Sequence, residues 1–274
     1  MPAPSATPRV ILITGTSSGF GLAMATHLHA QGHMVFGTRR APPATVTPQG
    51  FSELALDLRQ PDSIAAVVRE VQALAGRLDV LINNAGNGIA GALEDMSIDE
   101  VRTQMETNFF GTVQMIQAVV PLMRQQHEGR IIMLGSLGGR VGLPFQSVYS
   151  ASKFALEGIN EALRLELAGS GVQSALIRPG DFRTGFTAAR TLAAAAEQSV
   201  HSARFRQTLS RYEQDEIQGA DPQQLAALVA RLVQSRRLRP VYQCGHRGQL
   251  LGVNLKAWMP ASWFEYLMKQ TYGL

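Results

Sequence analysis

Short apolar runs alternate with amphipathic stretches along most of the chain. The runs at residues 10–13, 34–37, 54–58, 80–82, 130–134 and 172–177 are rich in Val, Ile and Leu, as in strands buried on both faces of a parallel sheet. Between them, apolar positions recur at helical spacing over residues 22–30, 64–74, 99–123 and 150–168. Gly32 closes the first of these helices, and Asp62 is placed to cap the second. A later helix starts with Asp221 as cap and Pro222 in its first turn, and residues 240–243 add a last short strand. Alternating strand and helix predict an α/β fold: a doubly wound parallel sheet with helices on both faces. No repeat or linker divides residues 9–274, so they read as a single domain.

Some stretches stand apart from this rhythm. Residues 1–8 read as a disordered lead, and residues 41–50, rich in Pro, Ala and Thr, as a loop. Residues 185–219 show no strand signal and read as a helical insert, a lid over the site. The tail, 248–274, holds Trp258, Trp263, Phe264, Tyr266 and Leu267. Core packing is the first expectation for it, ahead of a pocket wall, with peripheral membrane or partner contact third. The 150–168 helix has a broad apolar face with Phe154, Ile159 and Leu163, which predicts packing on the sheet and on a second subunit. Glu157, Glu161 and Arg164 stand at pairing spacing on its polar side.

Composition narrows the function classes. Of 274 residues, 45% are apolar and 17% charged, enough for a sizeable core. The excess of 25 basic over 21 acidic residues is mild and lacks an aromatic-laced basic block, which argues against nucleic acid. No apolar run approaches the ~18 residues of a membrane span, and the N-terminal residues lack a secretory pattern. The lone Cys244 reads as a small strand residue in a reducing, cytoplasmic setting.

The candidate chemistry sits at predicted strand ends. The first strand runs into Thr14-Gly15-Thr16-Ser17-Ser18-Gly19-Phe20-Gly21, and a helix follows. Strand, glycine-rich turn and helix open a Rossmann-type dinucleotide site, where backbone N–H groups meet a pyrophosphate. After the second strand an acidic residue would hold ribose hydroxyls, but Arg39 and Arg40 stand there. Guanidinium suits a 2′-phosphate, so NADP(H) is preferred over NAD(H), with Arg39 the stronger candidate. Asp57 could accept from an adenine amino group or cap a helix, and Asn83 and Asn84 could bond strand edges and a ribose. Asn108, inside a helix, reads as a satisfied polar residue or the mark of a local distortion. Ser136 ends the fifth strand, where a lone serine is usually a turn residue. Tyr149 and Lys153, four apart, share one helix face, and a cation beside a phenol lowers its pKa toward working pH.

Together these motifs resemble the short-chain dehydrogenase/reductase family, closely over about residues 9–184. The matching pieces are Thr14-Gly15-x-x-x-Gly19-x-Gly21, Asp57, Asn83-Asn84-Ala85-Gly86, Asn108, Ser136, Tyr149-x-x-x-Lys153 and Pro179-Gly180-x-x-x-Thr184. The resemblance implies that Tyr149 is the acid/base, that Lys153 tunes it and holds the nicotinamide ribose, and that Ser136 bonds the substrate oxygen. It implies that Asn108 holds a water linking Lys153 to solvent. It also implies cofactor contacts by Gly15, Ser17, Ser18, Gly19, Phe20, Gly21, Arg39, Arg40, Asp57, Asn84, Gly86, Tyr149, Lys153, Pro179, Gly180, Phe182 and Thr184. Phe182 is bulkier than the aliphatic residue common there. No metal is implied. The reading is an NADP(H)-dependent carbonyl reductase or alcohol dehydrogenase for a lipophilic steroid-, retinoid- or lipid-like substrate, a homodimer or homotetramer. The alternatives are a catalytically silent NADP(H)-binding sensor or scaffold, and a reductase of a carrier-tethered intermediate. Arg183 and Arg190 would offer that carrier a basic entrance.

Overall fold

The apolar runs enter one sheet, all but the third as inner strands. The computed structural model describes residues 7–41, 47 and 49–274. The expected lead over 1–8 and loop over 41–50 fall mostly outside the described residues.

The chain enters β1 (Val10–Ile13), α1 (Gly19–Ala30), β2 (Met34–Arg39), β3 (Ser52–Ala55), α2 (Pro61–Ala75) and β4 (Val80–Asn83). A two-residue β5 (Ile89–Ala90) precedes α3 (Ile98–Met105). A π-helical turn over Glu106–Phe110 joins α3 to α4 (Gly111–Gln125). Then come β6 (Gly129–Leu134), α5 (Ser147–Glu166) and β7 (Val172–Pro179). The last part holds α6 (Phe186–Ala189), β8 (Thr191–Leu192), α7 (Ser202–Ile217), α8 (Pro222–Gln234), β9 (Val241–Cys244), α9 (Arg247–Leu255) and α10 (Ala261–Tyr272).

Among the described residues the main sheet has seven strands in the order β3-β2-β1-β4-β6-β7-β9, all parallel. Every residue of β1 and β4 is buried, because helices cover both faces. Met24, Leu28, Leu225 and Val229 of α1 and α8 pack on one face; Val67, Met115, Val119 and Leu156 of α2, α4 and α5 pack on the other. Each such side chain contributes about 1.5–3 kcal/mol relative to exposure. Chain order reverses between β1 and β4, so their C-terminal ends form the crevice where such sheets take ligands.

Several local expectations change. The third strand is Ser52–Ala55, not 54–58; Leu56 and Leu58 are buried after its end, which explains their strand-like alternation. Neither Asp57 nor Asp62 caps α2. Its cap position is Gln60, without a side-chain bond, and Pro61 sets the first turn. Residues 185–219 do contain a strand, since Thr191 and Leu192 pair with Ile89 and Ala90. Glu157 and Arg164 do not pair along α5. Glu157 takes Arg178 of β7 at 2.6 and 2.7 Å, and Arg164 donates to the carbonyls of Ser174 and Leu238. Asp221 caps α8 as expected, accepting from the Gln223 N–H at 2.9 Å.

The tail reverses its first expectation. No residue of α9 or α10 is buried. Trp258 is 87% exposed and Trp263 68%, with Leu251, Leu255, Tyr266 and Leu267 also exposed. The aromatic density of this segment does not form core.

Candidate active site

The glycine-rich turn is held open by its neighbours. Gly15 and Gly19 have φ of +72° and +54°, a region costly for other residues. A Cβ at Gly21 would collide with the Gly15 carbonyl oxygen, so α1 starts hard against the turn. Thr14 and Asn84 tie β1 to β4. The Thr14 hydroxyl accepts from the N–H groups of Asn84 and Ala85, both at 3.0 Å. Asn84 Nδ2 donates to the carbonyls of Thr14 and Gly15, both at 2.9 Å. Asn84 therefore shapes the turn through its amide, as the strand-edge reading expected. Ser17 and Ser18 are exposed, and Ser18 makes no side-chain cap on α1. The N-terminal N–H groups of α1 thus point at an uncapped cradle, which fits a dinucleotide pyrophosphate.

At the end of β2 the structure adds a residue that the sequence reading missed. Glu53 of β3, its side chain 0% exposed, lies 2.7 Å from Arg39 through Oε2 and Nε. The contact is an ion pair without hydrogen-bond alignment, as neither atom has a hydrogen-bond partner. The other oxygen accepts from Thr16 Oγ1 at 2.7 Å. An acidic group thus reaches the end of β2 from β3, beside a half-exposed arginine. The signal was a lone acidic residue inside a strand, but its neighbour across the sheet depends on register. Arg40 is exposed. Asp57 is taken by Arg59 through both oxygens, at 3.0 and 2.7 Å, which lowers its carboxyl to about 2.

The chemistry gathers at the ends of β4 and β6 and the first turns of α5. The Ser136 hydroxyl accepts from the Gly138 N–H at 3.0 Å. A Cβ at Gly138 would lie 3.4 Å from both Ser136 Oγ and a Tyr149 ring carbon, so the two side chains meet there. Lys153 is buried, with Nζ 5.8 Å from the Tyr149 ring centre and donating to the Leu134 carbonyl at 2.8 Å. Burial lowers Lys153 to about 8. Burial raises Tyr149 above its ordinary value, while Ser136 and then Arg190 pull it down. The net effect is opposite to the lowering expected from Lys153, because the desolvated phenol outweighs its partners.

Asn108 sits in the π-helical turn. Its Oδ1 accepts from Asn87 N at 2.9 Å, and Nδ2 donates to Asn87 O at 2.9 Å and Ser152 Oγ at 3.2 Å. Both the distortion and the satisfied polar side chain agree with the reading of the residues. Gly86 is the close passage between Asn108 and Lys153, whose polar atoms would lie 3.2 and 3.8 Å from a Cβ there.

The segment after β7 closes the other side. The Gly180 N–H donates to the Cys244 carbonyl at 2.8 Å, following Pro179, the last residue of β7. Phe182 is buried edge-to-face on Phe20 at 5.0 Å, so both rings wall the glycine turn. Thr184 packs over Gly19. Arg190 is not a surface entrance: its side chain is 2% exposed and pairs with Glu216 at 2.6 Å. Arg183 is exposed. Among the described residues no group of His, Cys, Asp and Glu is arranged to hold a metal.

A half-buried phenol beside a hydroxyl donor and a buried ammonium can pass a proton to a carbonyl oxygen. The adjoining glycine cradle can hold a nicotinamide dinucleotide. The comparisons agree with this arrangement. The chain is 41% identical to a 3-ketodihydrosphingosine reductase of Bacteroides thetaiotaomicron over 268 residues, covering 97% of this chain and 99% of that protein. It is 43% identical to human 17-beta-hydroxysteroid dehydrogenase type 1 over 191 residues, 65% of this chain and 58% of that protein. A short-chain dehydrogenase structure from Streptomyces avermitilis superimposes with a TM-score of 0.78 at 29% identity, covering 97% and 99% of the two chains. The family model for short chain dehydrogenases matches residues 9–195, so this doubly wound oxidoreductase belongs to the short-chain dehydrogenase/reductase family.

Proposed function

We propose that the protein is an NADP(H)-dependent reductase of lipophilic ketones or aldehydes, or the corresponding alcohol dehydrogenase. The observation that carries this is the meeting of Tyr149, Ser136 and Lys153 beside the glycine cradle. When bound, the nicotinamide supplies or accepts hydride. Ser136 positions the substrate oxygen and stabilises charge developing on it. Tyr149 gives that oxygen a proton in reduction and takes it in oxidation, and Lys153 keeps the phenolate tolerable. Asn108, at the distorted helix, orders the way from Lys153 to solvent. Arg39 favours the 2′-phosphate of NADP(H). The names of two relatives, a 3-ketodihydrosphingosine reductase and a hydroxysteroid dehydrogenase, support a lipophilic substrate. NADPH oxidation against a panel of long-chain and steroid ketones tests the reading. Tight NADPH binding with no turnover on any of them would favour the silent sensor. The buried Arg190 removes half of the basic entrance proposed for a carrier-tethered substrate.

Two further expectations concern surfaces. Phe110, Phe154 and Leu165 are exposed on the helices flanking the β6 side, which supports pairing of two copies. Light scattering should give a dimer or tetramer, and a monomer at micromolar concentration would sink this. The exposed tail supports contact with a lipid surface, since Trp and Tyr favour the bilayer interface and Arg247 and Lys269 are exposed on the same two helices. The protein should sediment with vesicles containing anionic lipid, and the double variant Trp258→Ser/Trp263→Ser should lower the bound fraction several-fold. Wild-type protein left in the supernatant, with the variant losing an oligomer instead, would assign the face to a second copy. Among the described residues no helix is long and apolar enough to cross a membrane. A cytoplasmic home suits the lone Cys244.

A further inference from the structure

Glu53 joins the glycine turn to the arginine at the end of β2. It lies on β3, opposite Gly37 of β2. Its Oε1 accepts from the Thr16 hydroxyl of the turn at 2.7 Å, and its Oε2 stands 2.7 Å from Arg39 Nε. Thr16 is wholly buried, and its N–H donates to the Thr38 carbonyl at 2.9 Å. A Cβ at Gly37 would collide with the Thr16 hydroxyl and the Phe51 ring, so this glycine opens the way between turn and carboxylate. The Glu53 side chain is closed to solvent, whereas that of Arg39 is 34% exposed. The carboxylate therefore touches no ligand. It acts on one only through the field it sets behind Arg39.

The local charge balance decides what that field does. Among the described residues, Arg39 is the only cation in ion-pair contact with Glu53. The Leu56 N–H donates to the Arg39 carbonyl at 3.0 Å, which brings the following residue, Asp57, to the same corner. Asp57 is held by Arg59, and Arg40 also acts on it. Three guanidiniums thus face two carboxylates, and one positive charge is left over. A ribose 2′-phosphate brings about two negative charges, more than this balance neutralises. A ribose hydroxyl brings none and asks only for hydrogen bonds. An arginine with no acid behind it would favour the phosphorylated ribose strongly through its donor fork. Here a buried carboxylate backs the fork, and the preference shrinks.

We propose that Glu53 is a specificity residue for the cofactor: its buried charge offsets Arg39, so that the protein takes NADH as well as NADPH, with only a modest preference for the phosphorylated form. This rests on the reading of Arg39 as the 2′-phosphate residue and adds a second cofactor to it.

Calorimetry of NADPH and NADH on the wild type and on Glu53→Gln tests this, since the amide keeps the side-chain shape and removes the charge. The wild type should prefer NADPH by no more than about 30-fold. Glu53→Gln should tighten NADPH by about 10-fold and leave NADH within about two-fold. A larger wild-type preference overturns the proposal whether or not the variant folds. A variant with an unchanged ratio overturns it as well, as does one in which both cofactors weaken and the melting temperature falls; Glu53 would then only brace turn and strand. A variant that weakens NADPH alone also overturns it, because the carboxylate would then orient the arginine rather than offset it. Arg39→Ala separates this from the reading beneath it. If that variant binds NADPH as the wild type does, the 2′-phosphate reading fails, and this proposal with it. If it weakens NADPH while Glu53→Gln leaves the ratio unchanged, this proposal alone fails.

Discussion

Tyr149→Phe is expected to lower turnover by about 10²–10⁴-fold while leaving dinucleotide affinity within a few-fold. A loss of 10³ corresponds to about 4 kcal/mol of transition-state stabilisation. The substitution removes one oxygen and keeps the ring, so the contact with Phe186 survives. The glycine cradle, Thr14 and Asn84 lie on other elements and stay in place. The melting temperature should therefore hardly move. A variant that fails to fold, or one that turns over normally, would sink the assignment.

The same site sets a pH dependence. Reduction needs a protonated phenol and a cationic Lys153. Burial holds Tyr149 above its ordinary value, so the phenol keeps its proton through neutral pH. Burial lowers Lys153 to about 8, so its charge is complete well below that pH and is lost as pH rises through it. Reduction should be flat on the acid side and fall through about pH 8, or somewhat higher once cofactor phosphates favour the cation. A rate that rises steadily across this range would contradict the assignment of the pair.

Arg39→Ala is expected to weaken NADPH by about 10–100-fold and NADH by far less, the range of one lost charge-assisted contact. Equal weakening would show that Arg39 does not read the 2′-phosphate. The structure adds a complication absent from the sequence. Arg39 faces the buried carboxylate of Glu53, which would then keep only Thr16 as partner. An uncompensated buried charge destabilises the fold, here by about 1–3 kcal/mol once the half-exposed guanidinium is discounted for screening. It would also repel a 2′-phosphate. The double variant Arg39→Ala/Glu53→Gln separates these effects. If stability returns and NADPH binding stays weak, Arg39 binds the phosphate directly. If NADPH binding returns as well, Arg39 acted only by neutralising Glu53.

Much of this site was legible along the chain. The β-branched runs at 10–13 and 80–82 could only be inner strands, because every residue in them is apolar. The glycines at 15, 19 and 21 marked a turn that admits no side chains, and the positive φ of Gly15 and Gly19 and the close contact of Gly21 with the Gly15 carbonyl bear this out. Tyr149 and Lys153 share a helix face by spacing alone. Asn108 was a poor helix residue in a helical run, and the run distorts at that point.

What the sequence could not carry was which partner each polar group meets. Glu53 lies 14 residues beyond Arg39 and reaches it only through the pairing of β2 with β3. Glu157 had a helical partner by spacing and instead found Arg178 on a neighbouring strand. Arg190 looked like a surface residue until β8 drew its segment against Gly88 and buried it. The aromatic tail looked like core, yet the seven-stranded sheet already has both faces covered and leaves it outside. Local order follows from backbone sterics and apolar period, which neighbours in sequence determine. Burial, ion pairing and the pKa of Tyr149 depend on groups far along the chain, so the tertiary fold alone decides them.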